Sequence, residues 1–343
     1  MGNLNSLFIA HIGMLTPVGG DAKMTQATVK AGINVYAETN RLNGNFDQIK
    51  MALVPDEALP PLNPALKQTI GITARQSRML QLADPALKEV LANHKDKEPV
   101  TLYLAGPEPI PNTPLPIRSV FIKQLQQQTG LAIDVESSKV FPMGRAGAFY
   151  ALEYAFEYLE TSGKKYIVVG GVDSYWDPLT LGILARDKRV QTIPGEMDAF
   201  VPGEGAGFLL LSVDEPFQGA RKLYRPGIAE EEGGRYSDKP YRGDGLSQAF
   251  RKAIENGTGA PISNIYSSLN GESFGNKEFG VAVMRSSDSL NPEYDHRHPA
   301  ECFGDLGGAF GTVLIGLAAL NDRNYSLCYG SSEHEFRGAA CVA

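Results

Sequence analysis

The chain alternates wholly apolar runs with segments of helical period, and this alternation restricts its fold more than any other feature. The runs KKYIVVGGVDS (164–174) and GEGAGFLLLS (203–212) are typical of strands that are buried on both faces. The segment GRAGAFYALEYAFEYLETSG (144–163) places apolar residues at helical spacing and ends in glycine. Strands and helices in alternation predict an α/β fold in which helices cover a sheet.

The same order of elements occurs on both sides of residue 214. It predicts an internal duplication, with an N-terminal half at 1–213 and a C-terminal half at 214–343. The stretch 38–66, rich in Asn, Pro and acidic residues, is expected to run over the surface. A helical period covers 73–94, and Pro85 is expected to break that helix or to start a second one.

Composition excludes several classes of function. The net charge of −7 argues against a nucleic-acid partner, because phosphate binding needs clustered Lys and Arg. No apolar run is long enough to span a bilayer, so no membrane partner is expected. The start of the chain lacks the basic region of a signal peptide, and three cysteines do not form a disulfide framework. We therefore expect a cytoplasmic protein.

Six segments in order carry a family resemblance. They are IGMLTPVGG (12–20), the helix and strand at 144–174, FVPGEGAG (200–207), SSLNGESFG (267–275), FGDLGGAFG (303–311) and CYGSSEHEFRGAACV (328–342). Together they resemble the thiolase fold, and within it the β-ketoacyl synthases. The resemblance implies two duplicated βαβαβ-type halves packed as a five-layered αβαβα sandwich.

Working members of this family use a cysteine at the start of a buried helix, two histidines and a lysine. The resemblance places Arg145, or Gly144 with a one-residue slip, at the cysteine position, and Asn270 and Asp305 at the two histidine positions. Ala300 falls at the lysine position. A guanidinium stays protonated and is neither a nucleophile nor a base. The resemblance therefore implies a ketosynthase-like chain that lacks the Cys-His-His triad.

Three charged side chains are expected to converge where that triad would be. Arg145, Glu272 and Asp305 would form a salt-bridge network in the remnant pocket, with the arginine between two carboxylates. Alternatively, Arg145 binds an anionic ligand, such as a phosphate or a carboxylate, at the helix start. Cys302 lies three residues before Asp305 and is either a displaced nucleophile or a small buried apolar residue.

The remaining candidate features favour structural roles. Cys328 and Cys341 are expected to pack in the core, and DHRHP (295–299) is expected to be a surface loop. The basic run RDKR (186–189) is expected to form a solvated face. No sequence motif indicates a metal site or a cofactor.

Two functions stay open at this point. The first is a pseudoenzyme with a binding, scaffold or accessory role, resembling the shortened thiolase-like proteins associated with type VI secretion gene clusters. The second is an acyltransferase that acts on acyl thioesters through Cys302, or through water activated by Asp305 or Glu272. On either reading we expect a homodimer through a strand at 131–140, although a heterodimer with an active subunit is an alternative. A further protein partner or an acyl thioester ligand is expected.

Overall fold

The computed structural model describes residues 4–94, 98–195, 197–321 and 324–343. The strands of the first half are β1 (Ser6–Leu15), β2 (Ala37–Leu42), β3 (Gln48–Met51), β4 (Leu102–Ala105), β5 (Lys139–Phe141), β6 (Tyr166–Ser174), β7 (Thr192–Ile193) and β8 (Glu204–Ser212). Its α-helices are α1 (Ala22–Lys30), α2 (Pro64–Lys67), α3 (Ala74–Leu91), α4 (Val120–Thr129), α5 (Gly147–Ser162) and α6 (Pro178–Arg186).

The second half continues the alternation. Its strands are β9 (Lys222–Tyr224), β10 (Gly227–Glu230), β11 (Ile262–Ser267), β12 (Leu290–Arg297), β13 (Ser326–Ser331) and β14 (Phe336–Val342). Its α-helices are α7 (Asp244–Glu255), α8 (Ser273–Arg285), α9 (Ala300–Phe303) and α10 (Phe310–Leu320).

The strands of the two halves follow the same topology. In the first half the order is β5-β4-β6-β8-β1, with β5, β4 and β6 parallel and the remaining pairings antiparallel. In the second half β12, β11 and β13 are parallel, and β14 and β10 add antiparallel pairings in the corresponding places. Strand β9 joins the two sets, since it pairs with both β1 and β14. We propose that the chain divides between β8 and β9, at the expected boundary of 213 and 214.

Helices fill the space between the two sets of strands and cover their outer faces. Helix α5 contacts β4 and β6 on one side and β10 and β14 on the other, and α10 lies between β8 and β13. Helix α3 packs on β1 and β8 with α4 beside it, while α7 packs on β10 and β14 with α8 beside it. This layering confirms the expected αβαβα sandwich. It also explains why α10 has no polar face, because both of its sides are buried.

Pro85 does not break its helix, which corrects the sequence expectation. Helix α3 is continuous from Ala74 to Leu91, with Pro85 in its interior. Thr73 and Gln76 form a capping box at its start. Proline removes one backbone hydrogen bond, but burial of the apolar face of α3 against the sheet outweighs this local cost.

The strand expected at 131–140 is also wrong over most of its length. Residues 134–138 form a turn, in which the Ser138 hydroxyl donates to the Asp134 carbonyl (2.6 Å) and the Ser137 N–H donates to the Asp134 carboxylate (3.2 Å). These local bonds from short polar side chains compete with strand pairing. Ile133 forms an isolated parallel bridge to Val100, and β5 (Lys139–Phe141) is the part of this segment that joins the sheet as a strand, at one of its edges.

Strand pairing adds detail to two surface expectations. The excursion at 38–66 contains the hairpin of β2 and β3, which forms a small separate sheet with β7. The segment at 295–299 is not simply a loop, because Asp295 to Arg297 belong to β12 and pair with β11. The pairing of Asp295 to Arg297 has no local signal at 295–299, because its partner strand β11 (Ile262–Ser267) lies in an earlier part of the chain. Within the part of the chain that the structure describes, no helix is both long and apolar enough to cross a membrane.

Candidate functional site

The start of helix α5 carries the side chain on which the site depends. A 3-10 turn at Gly144–Ala146 leads into the helix, and Gly144 has a φ of 55° that favours glycine. Arg145 in this turn is 7% exposed. Its Nε donates to an Asp305 carboxylate oxygen (2.9 Å), its Nη2 donates to the same oxygen, and its Nη1 donates to Glu333 (2.8 Å). The expected pairing of Arg145 with Asp305 is therefore present.

Asp305 follows α9 in a loop that depends on glycine. Gly304 and Gly307 have φ values of 71° and 50°, respectively, so the chain turns sharply on both sides of the aspartate. Asp305 is fully buried, and it accepts hydrogen bonds from the Gly307 N–H (2.8 Å) and the Asn270 side-chain amide (2.8 Å) in addition to Arg145. The carboxylate therefore acts as an acceptor for every group that it contacts.

Glu272 joins the same cluster through different partners from those expected. It forms a bidentate pair with Arg189 (2.8 Å for each bond) and lies 3.2 Å from Arg235. Asn270 links it to Asp305, because its amide nitrogen also lies 3.2 Å from a Glu272 oxygen. The expectation that Arg145 would sit between Glu272 and Asp305 is therefore wrong. Arg189 is buried, which corrects the expectation of a solvated face at that position, whereas residues 186–188 are exposed as expected.

Glu333 is the centre of the cluster, and no motif in the sequence indicates this role. Its carboxylate pairs with Arg145 (2.8 Å), with Arg189 (2.9 Å) and with Arg235. It lies in the turn between β13 and β14, where glycine and serine dominate the local sequence. Three guanidinium groups and three carboxylates thus form one network, which we call the ion cluster; its members are Arg145, Arg189, Arg235, Glu272, Asp305 and Glu333.

The ion cluster holds two of its members, Arg145 and Glu333, in their charged forms. Burial alone would lower the pKa of Arg145, but Asp305 and Glu333 raise it well above the ordinary value. Burial alone would raise the pKa of Glu333, but the three arginines outweigh this effect and hold it below its usual range. An arginine and a carboxylate fixed in this way have no proton to exchange near neutral pH.

Ala300 and the three cysteines have structural surroundings in the fold. Ala300 begins α9, and its carbonyl accepts the Tyr36 hydroxyl (2.5 Å). Cys302 is 1% exposed, belongs to the buried core, and has a thiol pKa raised to about 11 by burial and by Glu301. A thiol that stays protonated is a poor nucleophile. Cys328 and Cys341 are fully buried, as expected for structural positions.

A hydroxyl group occupies the helix start that a nucleophile would use. The Ser332 Oγ accepts a hydrogen bond from the Ala146 N–H (3.0 Å) and donates its own proton to the Met143 carbonyl. The Ser332 hydroxyl therefore donates its proton to a backbone oxygen, and among the described residues no histidine is hydrogen-bonded to it as a base. The Ser332 hydroxyl caps the turn and is not positioned as an activated nucleophile.

Two small spaces adjoin the ion cluster, and a larger one lies beside Asn270. The first is an internal cavity of about 40 Å³ lined by Arg145, Glu333, Glu108, Asp173 and Tyr175 among others, which has room only for water molecules. The second, of about 20 Å³, is lined by Arg145, Arg235, Glu272 and Glu333 among others. The third is an open recess of about 610 Å³. Asn270 lines it, and the rest of its wall includes Tyr36, Lys50, Asn276, His296 and Ala300. We call it the Asn270 recess. Among the described residues, no group of side chains is arranged to hold a metal ion.

Comparison with known proteins places this architecture. No family model matches the chain, and no curated protein matches its sequence. Among solved structures, the ishigamide ketosynthase/chain length factor superposes with a TM-score of 0.75 at 14% identity, covering 99% of both chains. The chain has a ketosynthase fold.

Two further structures agree with this assignment. The ketosynthase from module 6 of the bacillaene synthase of Bacillus subtilis 168 gives a TM-score of 0.76 at 11% identity, over 98% of this chain and 72% of that one. A chain from the complex of a type II PKS acyl-carrier protein with its ketosynthase bound to the hexaketide gives 0.75 at 13% identity, over 98% of both chains. The TM-scores establish the thiolase-like fold, whereas sequence identities this low do not transfer an activity.

Proposed function

We propose that this chain is a catalytically degenerate ketosynthase-fold protein that binds a partner or an acyl thioester and does not condense acyl groups. The observation that carries the proposal is the position of Arg145. It stands at the start of the buried helix α5, where its guanidinium is bonded to Asp305 and Glu333. A condensing enzyme of this fold needs a nucleophile at that helix start, and a guanidinium cannot attack a thioester.

The size of the spaces supports binding over turnover. The internal cavity of about 40 Å³ leaves no room for an acyl chain beside Arg145. The Asn270 recess, at about 610 Å³, has the volume of a small-molecule site. Its polar side chains are Lys50, Asn270, Asn276 and neighbouring groups, which can hydrogen-bond an extended ligand. We infer that a thioester or carrier-bound group would enter there and remain intact.

Turnover is tested by mass spectrometry. The protein is incubated with a panel of acyl-CoA thioesters, and intact mass and free thiol release are followed in wild type and in Cys302→Ala. The proposal expects no adduct and no release above background in either protein, because the Cys302 thiol is buried and protonated. An adduct in wild type that is lost in Cys302→Ala would instead establish an acyltransferase.

Ligand binding is tested by filling the recess. Asn276 lines it from the exposed side of α8, so Asn276→Trp would occlude the opening without touching the ion cluster. Gln248→Trp is the matched control, because Gln248 is an exposed residue of α7 that lines a different groove. We expect acyl-pantetheine or acyl-carrier binding to weaken at least about tenfold in Asn276→Trp alone. Equal affinities in both variants would remove the recess from the proposal.

The solved complex of a ketosynthase with an acyl-carrier protein makes a protein partner of that kind part of the proposal. The accessory role in type VI secretion also belongs to it. Support for that role comes from sequence resemblance. The loops LNGE (269–272) and GDLG (304–307), together with Glu278, resemble those of the shortened thiolase-like proteins associated with type VI secretion gene clusters. Co-purification from cells that express the full gene cluster, with Asn276→Trp as the comparison, tests whether either partner uses the recess.

We also propose a homodimer, now through β5 and not through the longer strand expected at 131–140. The Phe141 carbonyl accepts the Gly106 N–H (3.0 Å), so Phe141 faces β4 and Val140 presents its backbone groups to the open edge. Val140→Pro would remove the outward N–H without breaking the pairing with β4. We expect light scattering to show a dimer in wild type and a monomer in Val140→Pro. A wild-type monomer would refute the dimer.

A further inference from the structure

One acidic side chain next to the ion cluster has no cation of its own. Glu108 lies in the segment after β4, and its carboxyl oxygens accept the backbone N–H groups of Glu333 (3.0 Å) and His334 (3.1 Å). Among the residues that the structure describes, none forms an ion pair with it. A carboxylate beside a buried cluster of this kind needs either a counter-charge or a proton.

The charges around Glu108 are already balanced. In the ion cluster, three arginines face three carboxylates. The second pair at this cavity, Arg75 with Asp173, is also neutral (2.8 Å). The remaining groups that face Glu108 across the cavity or pack against its turn are uncharged tyrosines, Tyr175 and Tyr236, and the imidazole of His334. An ionised Glu108 would therefore add one unbalanced negative charge next to Glu333, where the 107–110 segment meets the β13–β14 turn. We call this contact between the two halves the seam.

The contacts of Glu108 also connect two separate parts of the fold. Glu108 accepts two hydrogen bonds from the turn at 333–334. In addition, the ring nitrogen Nε2 of His334 donates to the Pro109 carbonyl (2.8 Å). Three hydrogen bonds thus hold the 107–110 segment of the first half against the β13–β14 turn of the second. We call this set of contacts the Glu108 latch. It covers the internal cavity, whose lining includes Pro107, Glu108 and Ile110.

We propose that Glu108 is a proton-binding site that makes the Glu108 latch sensitive to pH. With the proton bound, the seam is electrically neutral and the latch closes over the cavity. With the proton lost, the added charge repels Glu333 and favours an open latch, in which the half-buried Glu108 becomes more exposed to solvent. Burial and the Glu333 carboxylate both raise the pKa of Glu108, in agreement with the charge balance.

The sign of the effect follows from linkage. A carboxyl whose pKa is higher in the closed state than in the open state stabilises the closed state at low pH. That stabilisation is lost as pH rises from the ordinary carboxyl range through the raised pKa. The latch is therefore closed in mild acid and opens more often towards alkaline pH. This inference does not depend on the proposed function, because it concerns neither the Asn270 recess nor any thioester.

Hydrogen exchange of the two accepted amides gives a direct readout. After correction for intrinsic exchange, protection at Glu333 and His334 should fall between about pH 5 and about pH 8, by about tenfold for each unit by which the pKa of Glu108 is raised. Within the same protein, the Ser273 N–H is a reference. It is also accepted by a carboxylate, that of Asp198 (2.7 Å), whose pKa is lowered by its hydrogen bonds with Ser273, so it should show no such fall.

Variants separate the proton from the contacts. Glu108→Gln keeps the shape of the side chain and removes its titration, so protection at 333–334 should become independent of pH. Glu335→Gln removes an exposed carboxyl from the same turn and should keep the wild-type pH dependence. If Glu108→Gln does not fold, the wild-type measurement still decides. Protection at 333–334 that is equal at both pH values, or a slope that survives in Glu108→Gln, would overturn the proposal.

Discussion

Removal of Arg145 should destabilise the protein strongly, and the structure sets the scale. Arg145→Met keeps the length and apolar part of the side chain but leaves Asp305 fully buried beside an uncharged group. Breaking a buried ion pair from one side costs about 3–5 kcal/mol, since an uncompensated charge stays in the interior. Asp305 retains the Gly307 N–H and the Asn270 amide as donors, so we expect the free energy of unfolding to fall by about 3 kcal/mol, the lower end of this range.

The charge balance of the ion cluster predicts a partial rescue. Arg145→Met leaves two arginines facing three carboxylates, whereas adding Asp305→Asn restores two facing two. Glu333 would keep Arg189 and Arg235, so its own charge stays compensated. The double variant should therefore recover at least about half of the loss, because a neutral, well-packed replacement of a buried pair is often tolerated.

Urea unfolding followed by circular dichroism measures both effects. Arg186→Met is the matched control, because Arg186 is 73% exposed and pairs with a neighbouring surface aspartate, Asp187. Its loss should cost no more than about 0.5 kcal/mol. A cost below about 1 kcal/mol for Arg145→Met, or a double variant less stable than the single one, would refute the role assigned to the ion cluster.

Three further outcomes follow from the same geometry. Gly307→Ala should lower the stability measured by thermal unfolding by about 1–3 kcal/mol, because φ is 50° and the added Cβ would lie 2.1 Å from an Asp173 oxygen. Gly280→Ala is the control, because nothing lies within 4 Å of the Cβ added there. Cys302 should react with iodoacetamide at neutral pH at least about 100-fold more slowly in the folded chain than in urea, as mapped by mass, since its pKa is about 11; equal rates would contradict its burial. The depressed pKa of Glu333 stabilises the fold above the ordinary carboxyl range and ceases to do so in acid, so Glu333→Gln should flatten the loss of stability between about pH 5 and about pH 2; an unchanged acid limb would exclude Glu333 as its source.

Much of the site could be placed from local sequence alone. The glycines around Asp305 predict a sharp loop before a packed helix, and the structure has positive φ values at Gly304 and Gly307. The small residues after Gly144 predict a buried helix start, where Arg145 lies. Both features depend on the conformational limits of single residues, which a sequence shows directly.

Other parts of the site left no local trace. Arg189 belongs to a basic run that is typical of a solvated surface, yet it is 8% exposed and forms two hydrogen bonds to Glu272. Glu333 stands in a turn of small residues and pairs with arginines that precede it by 98 to 188 positions. Hydrophobic periodicity reports only which face of a segment is buried, so it cannot identify partners so far apart.

The sequence by itself determined the alternation of strands and helices, the glycine-dependent turns, and the chemical types at 145, 270 and 305, none of which is a cysteine or a histidine. The tertiary structure alone decided which charges meet. Parallel strands that end at one edge of the sandwich bring the loops of both halves together, and Arg145, Glu272 and Glu333 come from three of those loops. The physical reason is that short-range conformational preferences act within a few residues, whereas the pairing of buried charges depends on topology and on the exclusion of water from the seam between the halves.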